Sequence, residues 1–235
     1  MKITRRTFVN LTSAAMVAAP YATSAKAQSS GDDPLGIRGD FPLLETTNFL
    51  NTAYHSVAPQ QVVDAGVQFY LDRGNPADGI GPWIGEGRAV RAKFANMVGA
   101  KTSEIGLIHA TSDAENIVAN ALDLKEGDNI VTEGVGMLEL DVKETGIDFF
   151  GCGTYKWLLG RYGAAFFYIR DELQDIIPAD RRGMLSVTNT EIMTDFDSYP
   201  DAAKYGYATP AFGAITVVGT ALDYIASVGV GNIEK

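Results

Sequence analysis

The chain has 235 residues, of which 46% are hydrophobic and 20% charged, a composition typical of a globular protein with one large domain or two modest ones. Its formal net charge is −10, and because residues 1–27 hold four basic and no acidic residues, the remainder carries −14, which disfavours nucleic acid and anionic membranes as partners. A single cysteine excludes an intrachain disulfide, and with only two histidines a protein-only zinc site is not expected.

The N-terminus has the features of an export signal. Arg5 and Arg6 precede an apolar run at 11–22, and small residues follow at the two positions that a signal peptidase reads, with cleavage expected after Ala27. The paired arginines resemble a twin-arginine signal, which predicts a periplasmic or exported protein. The run is too short to span a membrane, so no membrane attachment is expected after cleavage. Residues 28–40 are interpreted as a flexible leader. A disordered basic tail is the alternative interpretation of the N-terminus.

The first elements of the body are predicted from turn residues and helical periodicity. Thr47–Leu50 has the pattern of a short strand. Pro59 suits the first turn of a helix that reaches about Arg73. A second helix is expected over about Ile84–Met97, with Gly99 as its C-terminal stop. The apolar face of each helix is expected to pack in the core.

A strand that begins at Ile105 is followed by a polar turn and a helix over about Asp113–Leu122. Thr111 or Ser112 is the expected N-cap. The unpaired N–H groups of the first helical turn, the helix dipole and two hydroxyls form an anion site suited to a phosphate. Most such caps bind no ligand, so both interpretations stay open on these residues alone. Another short strand is predicted at Asp128–Thr132.

One lysine, Lys156, lies between two predicted strands, Ile147–Phe150 and Gly163–Ile169. A lysine held at the end of a packed strand is partly desolvated, which lowers the pKa of its amine and makes it a nucleophile for Schiff-base chemistry. A solvated loop lysine is the alternative. The last predicted helix covers about Phe212–Val228.

The alternation of strand, turn and helix predicts an α/β domain with a mainly parallel sheet and flanking helices. Ligands of such sheets bind beyond the carboxyl ends of the strands. Thr111, Ser112 and Lys156 all lie just after predicted strands. One pocket is therefore expected to hold a phosphate at one side and the lysine at the other.

Four segments, in order across about residues 45–228, carry a family pattern. The most specific is Gly-Thr-Tyr-Lys-Trp-Leu-Leu-Gly at 153–160, with Gly-Ala-Ala-Phe-Phe-Tyr-Ile-Arg after it. The other three are Ala110–Asn116, Phe49–Ala53 and Tyr207–Phe212. Together they resemble the class V aminotransferases, the pyridoxal-phosphate group that includes cysteine desulfurases and isopenicillin-N-epimerase-like proteins. The resemblance implies a fold-type I aminotransferase-like large domain and pyridoxal 5′-phosphate as the cofactor.

The resemblance also implies a role for each matching residue at the cofactor. Lys156 would form the Schiff base with pyridoxal phosphate and later move the Cα proton of an amino-acid substrate. Thr111 and Ser112, with their backbone N–H groups, would hold the phosphate. Tyr155 occupies a position where family members place a side chain that contacts the phosphate.

Three further residues are interpreted through the same resemblance. Thr209 matches a threonine that reaches the cofactor phosphate of a neighbouring subunit, which implies a homodimer. His55 lies in the segment that faces the substrate, although a solvated loop histidine fits it equally well. Cys152 does not match the later position of the family's persulfide cysteine and is interpreted as a small packed residue. No metal is implied.

The sequence departs from the family pattern in two places. A long stretch is missing between Asn129–Thr132 and Ile147–Phe150, and it normally carries the residue that stacks on the pyridine ring and the aspartate that pairs with the pyridine nitrogen. Asp141 and Asp148 lie nearby but do not fit that motif. The family's C-terminal domain, with its arginine for the substrate carboxylate, is not matched.

These departures predict an internally shortened and C-terminally truncated member, with residues 41–235 as a partial large domain. The expected function is that of a pyridoxal-phosphate-dependent aminotransferase-like protein acting on an amino acid. The alternatives are a catalytically impaired cofactor-binding or interaction remnant of the family, and an unstable fragment.

Overall fold

The computed structural model describes residues 33–74, 79–122, 135–183, 185–189 and 197–235. The predicted export signal at 1–27 and the strand predicted at Asp128–Thr132 lie outside these residues. Within them, no helix combines the length and the apolar content that crossing a bilayer requires.

Three long helices form one layer of the protein. Helix α1 covers Gln60–Arg73 and helix α2 covers Gly81–Met97. Both pack on α5, Phe212–Val228, which is followed by the single turn α6, Val230–Ile233. All three long helices were predicted from their apolar spacing, and the structure confirms them to within a few residues at each end.

The prediction of a strand at Thr47–Leu50 is wrong. Among the described residues this segment has no strand pairing, and it follows two 3-10 helices at Arg38–Asp40 and Pro42–Glu45. The side chain of Leu50 is 94% exposed. Apolar residues favour a strand only where a neighbouring strand and a buried face receive them, and this segment has neither among the described residues.

The sheet has three described strands in the order β1-β3-β2, where β1 is Ile105–Ile108, β2 is Phe149–Gly153 and β3 is Ala165–Ile169. Strand β3 pairs antiparallel with both neighbours, so β1 and β2 run in the same direction. The described pairings thus differ from the parallel ones expected. The reason is the loop 154–164, which is too short for the crossover that a parallel connection from β2 to β3 needs.

Helices cover both faces of the sheet. All five residues of β3 are buried, and they alternate between the two faces. On one face Phe166 stacks on Phe94 of α2, with ring centroids 3.9 Å apart. On the other, Phe167 joins a second cluster with Ile117 of α3, which covers Thr111–Ala121. Burying each of these large side chains contributes about 1.5–3 kcal/mol, which makes β3 the centre of an α/β core.

The shortened connection ends in a single helical turn, α4, at Val142–Thr145. Asp141 caps this turn, because its carboxylate accepts the backbone N–H groups of Lys143 and Glu144 at 2.7 and 3.0 Å. Asp148 pairs with Arg170 at 3.1 Å. The two acids near the missing stretch therefore have structural partners at the edge of the sheet.

Candidate functional site

The loop between β2 and β3 carries Lys156, and hydrogen bonds close its base. The fully buried Thr154 places its hydroxyl 2.7 Å from the carbonyl oxygen of Arg161 and 2.9 Å from that of Ala164. The N–H of Gly160 donates to the carbonyl oxygen of Thr154 at 2.8 Å. These bonds fold residues 154–164 into a compact loop that fixes where Lys156 leaves the sheet.

Lys156 is half-buried and lies beside aromatic rings. Its Nζ is 5.7 Å from the ring centroid of Tyr155, within the range of a cation–π contact. The ring of Tyr155 stacks on that of Tyr162 with 4.5 Å between centroids. The ammonium therefore lies beside aromatic rings on a partly exposed loop, and the Schiff-base role of Lys156 stays a prediction.

The helix at the predicted phosphate turn begins two residues earlier than predicted. Helix α3 starts at Thr111, so Ala110 is the N-cap, and the assignment of Thr111 or Ser112 to that position is wrong. The reason is Asp113, whose Oδ2 accepts the N–H of Ala110 at 3.2 Å and thereby caps the helix from inside its first turn. Thr111 and Ser112 lie in the first turn, where helical backbone N–H groups have no partner within the helix.

Gly153 is where the phosphate turn meets the lysine segment. A Cβ atom at this residue would lie 3.0 Å from Oγ1 of Thr111 and 3.1 Å from Cε1 of Tyr155. At Gly151, two residues earlier, a Cβ atom would lie 2.8 Å from the Cβ of Ala114. The glycines of β2 let α3 approach the sheet closely, and this approach brings Thr111 and Tyr155 together at the end of β2.

His55 also lies at the lysine segment. Its neighbour Ser56 donates both its backbone N–H and its hydroxyl to the carbonyl oxygen of Tyr155, at 2.9 and 3.2 Å. The imidazole packs against Phe49 and Tyr54, with centroids 5.2 and 5.4 Å away. Its Nδ1 is buried and has no hydrogen-bond partner among the described residues. Such an atom is costly unless something else satisfies it.

Thr209 is held beside the phosphate turn of its own chain. Its carbonyl oxygen lies 3.3 Å from Nε2 of His109, which is two residues before Thr111. The residue itself is exposed. The contact brings the Thr209 segment to the same region as the other predicted cofactor residues.

Arg181 and Tyr207 were not singled out by the sequence, yet they adjoin the phosphate turn. Nη1 of Arg181 donates to the hydroxyl of Tyr207 at 3.0 Å, and the guanidinium lies 4.3 Å from the centre of that ring. The same guanidinium approaches Oδ1 of Asp113 at 3.6 Å. No sequence pattern marks these contacts, because they join segments that are far apart in the chain.

Two other expectations concern cysteine and metals. Cys152 is 3% exposed and belongs to the core between the sheet and α2, so its interpretation as a small packed residue is confirmed. Among the described residues, no group of three or more His, Cys, Asp or Glu side chains is placed to hold a metal ion.

The sequence matches the family model described as aminotransferase class-V over residues 48–138 and 132–235. The chain belongs to the class V aminotransferases. The two matched segments meet at 132–138, which is where the family pattern predicts a missing stretch. The resemblance found in the four sequence segments is therefore confirmed.

A curated relative of this class V aminotransferase is the uncharacterized aminotransferase YcbU of Bacillus subtilis. It is 33% identical over 102 residues, which are 43% of this chain and 27% of that protein. The matched stretches span between 27% and 36% of the length of the curated relatives that the chain matches.

Solved structures establish the fold. An apo cysteine desulfurase from Thermococcus onnurineus is similar with a TM-score of 0.70 and 20% identity, over 87% of this chain and 73% of that one. A C-DES mutant with glycine covalently linked to its pyridoxal-phosphate cofactor is similar with a TM-score of 0.71 and 14% identity, over 82% and 74%. These similarities confirm the predicted α/β fold of a fold-type I large domain.

Proposed function

We propose that this class V aminotransferase binds pyridoxal 5′-phosphate and acts on an amino acid through a Schiff base at Lys156. The observation that carries the proposal is the close approach at Gly153, where a Cβ atom placed on that residue would lie 3.0 Å from Thr111 of the phosphate turn and 3.1 Å from Tyr155 of the lysine segment. Family membership and the C-DES structure with its bound cofactor support the choice of cofactor.

The residues present fit that cofactor on its phosphate and aldehyde sides. The first turn of α3 would hold the phosphate through the N–H groups of Thr111 and Ser112, with Thr209 close by, and Tyr155 would contact it. Lys156 would carry the cofactor covalently through its Nζ. The buried, unpartnered Nδ1 of His55 marks a place for a polar group at the same loop. When bound, the cofactor supplies an electron sink for charge that develops at the substrate Cα.

The chain's own residues then have separate tasks. The amine of Lys156 would hold and return the Cα proton. The hydrogen bonds of Thr154 fix the loop that carries this lysine and so give its amine a defined position. The aromatic pair Tyr155 and Tyr162 would limit the access of water to that amine. His55 would orient the substrate through its imidazole nitrogen.

A titration of the purified chain with pyridoxal phosphate tests this function. The wild type is expected to develop the absorbance of a lysine-bound cofactor, and Lys156→Ala is expected to lose it. Lys93→Ala is the matched control, because Lys93 is another partly exposed lysine that pairs with Asp223 on the surface. Bound absorbance that survives in Lys156→Ala contradicts the proposal.

A second candidate is a cofactor-binding or interaction remnant that does not turn over. It is favoured by the two family matches that meet at 132–138 and by the absence of a sequence match for the pyridine-nitrogen aspartate. Without that aspartate the ring stays unprotonated and is a weaker electron sink. Transamination by the wild-type chain that is abolished in Lys156→Ala would exclude this candidate, and cofactor binding without transamination would favour it.

Export is proposed from the paired arginines at positions 5 and 6. Replacing both Arg5 and Arg6 with lysine is expected to retain the protein in the cytoplasm, since the twin-arginine pathway reads that pair. Cell fractionation checks this. If both the wild type and the variant with two lysines are found in the periplasm, the twin-arginine assignment is contradicted.

A homodimer is proposed because the resemblance gives Thr209 a role at a neighbouring subunit's phosphate. Light scattering after size-exclusion chromatography is expected to give twice the monomer mass. If the chain dimerises, mixing Lys156→Ala with Thr209→Ala subunits shows whether Thr209 acts within its own chain or across the interface. Activity of the mixed dimer at one restored site supports action across the interface.

A further inference from the structure

Asp113 places a carboxylate in the first turn of α3, beside the two residues that are proposed to hold a phosphate. One oxygen, Oδ2, accepts the N–H of Ala110 and caps the helix. The other, Oδ1, faces Arg181 at 3.6 Å. A carboxylate here stabilises the helix N-terminus, but it repels a phosphate bound at the same turn. A phosphate site built on this turn therefore needs a cation that offsets Asp113.

Arg181 is a cation held in place for this task. Its Nη1 donates to the hydroxyl of Tyr207, its guanidinium lies over the Tyr207 ring, and its Nε donates to Asp180 at 3.0 Å. The side chains of Arg181 and Asp113 are 39% and 19% exposed, so water screens their attraction only in part. With these partners engaged, the guanidinium has a fixed position and is poorly suited to bidentate binding of a substrate carboxylate.

The same contacts reach the second segment that is proposed to contact the phosphate. The ring of Tyr207 lies 5.9 Å from that of His109, whose Nε2 is 3.3 Å from the carbonyl oxygen of Thr209. Tyr207 stands two residues before Thr209, so Arg181 connects the first turn of α3 to the Thr209 segment through Asp113 and Tyr207. A change at Arg181 therefore alters the charge at the first turn of α3 and removes a contact that supports the Thr209 segment.

We infer that Arg181 is a positioning residue of the phosphate site, which neutralises Asp113 and so allows the N-terminus of α3 to accept a phosphate group. The inference rests on the proposed function, because that function supplies the phosphate. It assigns Arg181 no direct role in the chemistry at Lys156.

The test compares the affinity of the full chain for pyridoxal phosphate and for pyridoxal, which lacks the phosphate. Arg181→Gln is expected to weaken pyridoxal phosphate binding about 10-fold, because it removes one positive charge and leaves the carboxylates of Asp113 and Asp180 without their cation. Pyridoxal binding is expected to change by less than about 2-fold, because no phosphate is present to be repelled. Arg182→Gln is the matched control, since Arg182 is the exposed neighbour.

Asp113→Asn separates charge balance from simple loss of structure. The amide keeps an acceptor for the N–H of Ala110 and removes the negative charge, so pyridoxal phosphate affinity is expected to stay equal or to rise up to about 3-fold. In the double variant Asp113→Asn with Arg181→Gln, affinity is expected to return to within about 2-fold of the wild type. A structural role for the ion pair predicts instead that all three variants lose affinity.

Each outcome decides the inference. Equal losses for both ligands in Arg181→Gln, weaker binding in Asp113→Asn, or no change in Arg181→Gln would overturn it while leaving the proposed function intact. A wild type that binds neither pyridoxal phosphate nor inorganic phosphate would overturn both. If the wild type binds only inorganic phosphate, the proposed function fails. The role of Arg181 is then decided by whether each of the same variants raises or lowers the affinity for inorganic phosphate.

Discussion

Ser56 donates two hydrogen bonds to the carbonyl oxygen of Tyr155, one from its backbone N–H at 2.9 Å and one from its hydroxyl at 3.2 Å. These bonds join the segment that carries His55 to the residue immediately before Lys156. The direction of the lysine is therefore fixed from outside its own loop as well as from within it.

Ser56→Ala tests this connection. The variant keeps the N–H bond but loses the hydroxyl bond, so we expect a loss of about 0.5–1.5 kcal/mol in the free energy of unfolding together with weaker pyridoxal phosphate binding. Ser227→Ala is the control, because its hydroxyl bonds the carbonyl oxygen of Tyr224 at an exposed position. Urea unfolding and cofactor titration measure the two effects. Cofactor binding that is equally weakened in both variants would contradict a specific role for Ser56.

Gly153→Ala tests the close approach of the phosphate turn. The new methyl group would lie 3.0 Å from Oγ1 of Thr111 and 3.1 Å from Cε1 of Tyr155, so one of these side chains must move by a few tenths of an ångström. We expect lower cofactor affinity and a destabilisation of about 1–3 kcal/mol from overpacking. Gly87→Ala is the contrast within helix α2, where the nearest atom would be 3.7 Å away and stability should rise by about 0.4–1 kcal/mol. An unchanged cofactor affinity in Gly153→Ala would show that the contact does not shape the site.

The sequence predicted those elements whose signals are local. Helices α1, α2 and α5 show apolar residues at helical spacing, and β3 is an apolar run bounded by turn residues, so each was found. Thr111 and Lys156 were predicted as site residues from the pattern of strands and turns, and Tyr155 through the resemblance; the structure brings Thr111 and Tyr155 together at Gly153.

The parts that were missed depend on contacts between distant segments. Within the part of the chain that the structure describes, Thr47–Leu50 has no strand partner, which no local pattern reveals. The N-cap of α3 is Ala110 rather than the predicted Thr111 or Ser112, because the carboxylate of Asp113 accepts the N–H of Ala110. Arg181 has several contacts, and of these only the bond to its neighbour Asp180 is local in the chain. Pairing direction, caps and ion pairs of this kind are decided by tertiary packing.

Lys143 and the buried Glu104 form an ion pair that ties α4 to the sheet. Glu104 is fully buried and also accepts the backbone N–H groups of Lys101 and Asp171 at 2.9 and 3.2 Å. Lys143→Met leaves this carboxylate without its cation, and we expect the free energy of unfolding to fall by about 2–3 kcal/mol. This loss is smaller than for a fully buried pair because Lys143 is 44% exposed. Lys93→Met, at an exposed pair with Asp223, should cost less than about 1 kcal/mol.

The same pair gives a pH dependence. Burial lowers the pKa of Lys143, but the hydrogen bonds and charge interactions with Glu104 and Tyr168 together outweigh it, so the pKa lies above the ordinary value of 10.5. The stabilisation is therefore complete below about pH 10.5 and is lost as the pH rises through the folded-state pKa. Urea unfolding of wild type and Lys143→Met should differ by a constant amount at neutral pH and converge in strong alkali. A difference that grows with pH would contradict the assignment.

Lys204 is expected to behave in the opposite way. It is 8% exposed, and burial holds its pKa below the ordinary value, so the charged form costs stability at neutral pH. We expect Lys204→Met to raise the free energy of unfolding by about 1 kcal/mol at pH 7, and this gain to vanish as the pH rises above the unfolded-state pKa of about 10.4, where the lysine is neutral in both states. Lys101→Met, at an exposed lysine, should show no such gain. A loss of stability at every pH would mean that the bond from Lys204 to the carbonyl of Gln174 outweighs the cost of burial.

The measurement that tests the central claim most directly is the site of covalent cofactor attachment. The purified chain is incubated with pyridoxal phosphate, reduced with borohydride, digested and mapped by mass spectrometry, with inorganic phosphate as a competitor in a parallel sample. We predict one dominant pyridoxyl-phosphate adduct on Lys156, diminished by the competitor and absent from Lys156→Ala. Adducts spread over surface lysines such as Lys93 and Lys101, or no adduct on Lys156, would contradict it.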